Sequence, residues 1–82
     1  MSITVQFTTS MLRDNASLNA EMVFENFTHL REVIRSFVFA PVYRMRSHEN
    51  SHGRITSREF NAVMDDGREF YLGNITLEGD TQ

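Results

Sequence analysis

The stretch 26–41, Asn-Phe-Thr-His-Leu-Arg-Glu-Val-Ile-Arg-Ser-Phe-Val-Phe-Ala-Pro, leaves the chain few choices. Phe27, Leu30, Ile34 and Phe37 recur at helical spacing, and Val33 and Val38 widen the stripe. His29, Arg31, Glu32, Arg35 and Ser36 take the other side. Asn26 or Thr28 can offer the N-cap oxygen that the first turn's orphan N–H groups need. Pro41 lacks an N–H and pushes Ala40 out of the helical region. The spacing predicts a helix over 28–39. A helix this one-sided must bury its stripe against a partner surface.

That partner is predicted to be a sheet. Residues 2–8 alternate, with Ile3, Val5 and Phe7 opposite Thr4, Gln6 and Thr8. Residues 12–17 contain Arg-Asp-Asn-Ala-Ser and read as a turn. Alternation returns over 18–25, in Leu18, Ala20, Met22 and Phe24. After the helix, 42–47 reads as a third strand and 48–53 as a polar loop. Residues 55–64 fit a strand leading into a two-residue Asp66-Gly67 hairpin turn. They also fit a short helix, with Thr56 and Glu59 as a capping box and Gly67 as its C-terminal stop. Residues 68–77 complete the sheet, and 78–82 read as a frayed polar tail. The expected fold class is α+β: a small antiparallel sheet of four to five strands, ordered ββαβββ, with one amphipathic helix on one face. Period-two counting puts Ile3, Val5, Phe7, Met22, Phe24 and Phe70 under the helix, and Gln6, Val23, Arg44, Arg46 and Tyr71 on the far face.

Composition bounds function. Eighty-two residues make one domain, and a chain this size buries only about 60–65% of its unfolded surface. Cys is absent, so thiolate chemistry and disulfides are excluded. No 18-residue apolar run predicts a membrane span, and Met-Ser-Ile-Thr-Val-Gln-Phe is not a signal peptide. A cytoplasmic protein is expected, with Asn15, Asn26 and Asn74 matching the glycosylation pattern by chance. The net charge of -3 disfavours nucleic acid as partner. All eight basic residues are Arg. The bland reading is a GC-rich genome; the functional one is that Arg forks and stacks better than Lys at contacts.

Three constellations carry chemistry. His48-Glu49-Asn50-Ser51-His52 matches the zinc-protease pattern His-Glu-x-x-His, which needs both imidazoles one turn apart on a helix. Asn, Ser and the following Gly53 oppose a helix here, so His48 and His52 are weak metal candidates, and no metal, cofactor or catalytic residue is expected. Tyr43, Arg44, Arg46, Arg54 and Arg58, joined by Tyr71, could stack bases and bind phosphates of a single strand. On a solvated sheet the same Arg residues pair with Glu59 and Glu69. Asp65, Asp66, Glu69, Tyr71 and Glu78 form the candidate protein-binding set, an acidic surface that could occupy a basic groove; as bland features, the aspartates form a turn and Glu78 solvates a tail. No phosphate loop or nucleophile elbow is present.

Seven Phe and two Tyr exceed what one helix can cover. Phe39, Val23 and Tyr71 fall off the covered faces, and leftover apolar groups on a small chain mark a contact surface. In size and composition the chain is similar to the compact, Cys-free, mildly acidic accessory proteins that phages and mobile elements encode against host machinery. That resemblance implies an inhibitor or accessory protein in the host cytoplasm, binding a larger host protein or a nucleic-acid-handling complex. A homodimer is the second expectation, and a nucleic-acid-binding module the alternative.

Overall fold

The structure, a computed structural model, describes residues 2–80. It is an α+β fold: β1 (Ile3–Phe7), α1 (Thr9–Asp14), β2 (Glu21–Phe24), α2 (Phe27–Ile34), β3 (Val42–Glu49), β4 (Ile55–Val63) and β5 (Glu69–Leu77). The five strands form one sheet in the order β2-β1-β5-β4-β3, every pair antiparallel. The chain leaves one edge at β2, crosses through α2 and re-enters at the other edge as β3.

α2 starts as predicted, on Asn26, whose Oδ1 accepts from the His29 N–H at 2.8 Å. It ends earlier than the predicted 39. Ser36 N–H and its hydroxyl both donate to the Val33 carbonyl, and Phe37 N–H donates to Ile34. These bonds tighten the last turn and release the chain before Pro41. Leu30 and Ile34 are fully buried against Ile3, Val5 and Phe24. The core extends along the sheet through Phe60, Ala62, Leu72 and Ile75.

Four expectations need correction. Residues 12–17 are not simply a turn, because α1 begins at Thr8, whose hydroxyl accepts from Met11 N–H. The short helix drives Met11 into the core. The second strand is only 21–24, since Leu18 reaches the core from a loop. The segment 55–64 is a strand, and its hairpin has a three-residue loop rather than two. Met64 N–H donates to Arg68, Gly67 N–H donates to Met64, and Gly67 has φ 86°. The β3–β4 loop repeats this pattern with Asn50, Arg54 and Gly53, at φ 77°. A turn closed by one left-handed glycine is the common three-residue solution. Finally, residues 78–80 are tied down: Glu78 N–H donates to Ser2, and Asp80 accepts from Leu77 N–H. Residues 81 and 82 lie outside the described part.

A bulge separates the two halves of the β4–β5 ladder. Phe60 faces Gly73 and Asn61 faces Tyr71, leaving Leu72 as the extra residue. It lets Leu72, Gly73 and Ile75 all be buried. Phe70, opposite Ala62, lies beyond the helix cover and is 44% exposed. Its predicted burial therefore fails for want of helix, while Gln6, Val23, Arg44, Arg46 and Tyr71 are exposed as expected.

Candidate functional site

The face of the sheet away from α2 holds a charged network. Alternation along β3 puts Val42, Arg44, Arg46 and His48 there, and the register sets them opposite Val63, Asn61, Glu59 and Ser57. Glu69, from β5, is the hub. It accepts from Arg46 at 2.6 and 3.0 Å, from Arg44 at 3.3 Å and from the Asn61 amide at 2.6 Å. These donors, the Arg46 hydrogen bond first, pull the Glu69 carboxyl down to about 2. His48 Nε2 meets Glu59 at 2.5 Å, and this contact and the Asn61 amide hold Glu59 below its ordinary value. Asn61 is itself buried, with its Oδ1 taking no hydrogen bond.

This arrangement divides the residues that the sequence grouped as a nucleic-acid surface. Arg44 and Arg46 lie on the open face, already bound to Glu69. Tyr43 points to the other face, where its ring stacks on Phe60 and its hydroxyl donates to the Val38 carbonyl. Arg58 also lies on the helix side, held by Asp80 at 2.8 and 3.0 Å. Arg54 follows the β3–β4 turn. The acidic set is likewise divided. Asp65 and Asp66 sit in the β4–β5 turn, where Asp66 takes Arg68 at 2.6 Å. Glu69 and Tyr71 lie on the open face, and Glu78 binds Ser2 N–H at the opposite end of β5.

His48 and Glu49 end β3, and His52 sits in the following turn with its N–H on Asn50. The spacing His-Glu-x-x-His thus falls on a strand end and a loop, not on the helix that would bring both rings to one ion. Among the described residues no three His, Asp or Glu side chains stand close enough to hold a metal.

What the structure does gather is apolar. At the end of the sheet where β3 begins and β4 meets β5, Val42 pairs with Val63, and Tyr43 shares a row with Ala62 and Phe70. Phe39, three residues before β3, is 72% exposed and Val42 is 51% exposed. Arg35 lies over the Phe39 ring at 5.8 Å and Arg68 over Phe70 at 5.6 Å. The sequence flagged Phe39 as surplus to the stripe. It missed Phe70, because that exposure depends on where α2 stops, and it missed Val42, which lies on the open face of an edge strand.

The fold and this surface define a small α+β sheet protein with an aromatic, Arg-flanked corner. No family model, curated protein or solved structure matches the chain.

Proposed function

We propose that this chain is a small non-catalytic protein-interaction module, acting as an inhibitor or accessory protein that occupies a surface of a larger protein or a nucleic-acid-handling complex. The observation that supports it is the exposure of three large apolar side chains at one end of the sheet: Phe39 just before β3, Val42 on the open face and Phe70 on the helix side. Aromatic and Arg side chains are the types enriched in contact surfaces, and a few such anchors dominate binding. Arg35 and Arg68 each lie over one side of a ring, which leaves the rings available. Single-strand binding has less support, since phosphates would have to displace Glu69 from Arg44 and Arg46.

The test compares immobilised wild type with Phe39→Ser and Phe70→Ser. A partner held stoichiometrically by the wild type should bind either variant roughly tenfold or more weakly, at unchanged thermal stability. A twofold dimer through the same corner would instead appear as a heavier sedimenting species that either variant converts to monomer. A wild type that retains no partner and sediments as a monomer sinks the proposal, as does equal retention by both variants.

A further inference from the structure

The β4–β5 ladder stops at Glu59↔Asn74, although β4 continues back to Ile55 and β5 on to Leu77. Beyond this point each strand keeps only its other neighbour. β4 stays with β3, pairing Ser57 with His48 and Arg58 with Ser47. β5 stays with β1, pairing Ile75 with Val5 and Leu77 with Ile3. The sheet is therefore split at the end opposite the Phe39 corner. Alternate residues of 55–58 aim backbone N–H and C=O groups into the gap, without ladder partners among the described residues; on the β5 side the Leu77 N–H and C=O are already taken by the Asp80 carboxylate and N–H.

The gap is a cavity of about 220 Å³ lined by Ile55, Thr56, Ser57, Arg58, Ile75 and Asp80, among others. A second depression of about 480 Å³, lined by Gly53 and Arg54 among others, shares Ile55, Arg58 and Asp80 with it. The gap itself is smaller than the roughly 300–1,000 Å³ of a typical small-molecule site, but two strand edges border it.

Charge indicates what would enter. Arg58 is held across the gap by one carboxylate, Asp80, which also accepts from Leu77 N–H. Arg54 in the second depression has no ion pair among the described residues. Two guanidinium groups and one carboxylate leave a positive surplus on a chain whose net charge is -3. The mixed lining of isoleucine and hydroxyl side chains suits alternating side chains.

We propose that this split is a strand-insertion site: an extended acidic peptide segment of a partner pairs with the inner edge of Ile55–Arg58 and sets a carboxylate against Arg54, the cation that the Arg58–Asp80 pair leaves open. Backbone pairing supplies the affinity and Arg54 selects acidic sequences, the division of labour of strand addition. The site is separate from the Phe39 corner, so the two readings can fail independently.

The test is an amide NMR titration of the whole isotope-labelled chain with acetyl-Val-Glu-Val-Glu-Val-amide. The expected result is saturable shifts at 55–58 and 75–77, with at least tenfold weaker binding for the Lys-for-Glu peptide and for Arg54→Ala. Arg54 is exposed and outside the Arg58–Asp80 pair, so this variant keeps the fold. Phe39→Ser should bind the peptide like wild type. No shift, equal shifts with sodium acetate, or equal binding of a peptide with alternate amides N-methylated would overturn the proposal. So would the same shifts appearing on concentrating the protein alone, which would assign the split to a second copy.

Discussion

Glu69 illustrates how one side chain decides the character of a face. Two Arg residues and one amide converge on its carboxylate, and its side chain is only 21% exposed. A carboxylate bound by cations and donors is harder to protonate, hence the value of about 2. Asp80 is also held at about 2, by Arg58 first and then by Leu77 N–H. Unfolded, these groups titrate near ~4.3 and ~3.9. Their folded values are depressed, so the stability they contribute is complete above the unfolded values. It is lost as pH falls from about 4.5 towards 2. Glu69→Gln should lower the melting temperature at pH 7 and flatten its fall between pH 5 and pH 2. Melting curves followed by circular dichroism at several pH values check this; curves parallel to wild type would mean the network adds no pH-dependent stability. Glu69 as an open-face partner for the Arg pair was legible in the sequence, because period-two counting put Arg44 and Arg46 on the far face. Its role as hub was not, because that depends on β5 lying beside β4, next to Asn61, and on the long reach of Arg46.

Among the elements, α2 and β1 could be read from pattern alone, since each repeats its apolar period for several residues. α1 could not: six residues hold too few turns to show a period, and only the Thr8 cap marks its start. The bulge at Leu72 was equally hidden, since an extra residue leaves no local signature and shows itself only in a partner strand. Gly73 beside it exposes the packing constraint. A Cβ there would stand 2.2 Å from the Gln6 carbonyl oxygen and 3.0 Å from Phe7 Cα, both backbone atoms of β1. Backbone within a ladder cannot step aside as a side-chain tip can. Gly73→Ala should therefore destabilise the fold by about 3 kcal/mol, through overpacking rather than through lost contacts. Urea denaturation measures this directly, and a midpoint within error of wild type would show that β1 and β5 approach less closely than described.

For the molecule as a whole, the arrangement leaves β2 and β3 as open sheet edges, and β3 is eight residues long. A long open edge invites pairing with a second copy. The side chains of β3 oppose it. In a twofold antiparallel pairing with both helices on one side, residues of like face meet. Centring on Met45 sets Arg44 against Arg46. Centring on Arg46 sets that residue against itself and Arg44 against His48. Centring on Ser47 sets Arg46 against His48. Centring on Met45 or on Arg46 thus places Arg side chains directly opposite one another, which destabilises a ladder. The Arg row therefore guards the edge in those registers, in addition to binding Glu69. Replacing Arg44 and Arg46 with Thr, together with Glu69→Gln so that no carboxylate is left unmatched, should keep the strand while removing that guard. The variant should grow into larger particles by light scattering at concentrations where wild type stays unchanged, and the growth should persist when Phe39→Ser is added. If the variant scatters no more than wild type, charge on β3 is not what keeps the edge unpaired. If Phe39→Ser abolishes the growth, the association runs through the corner and the edge is protected by other means.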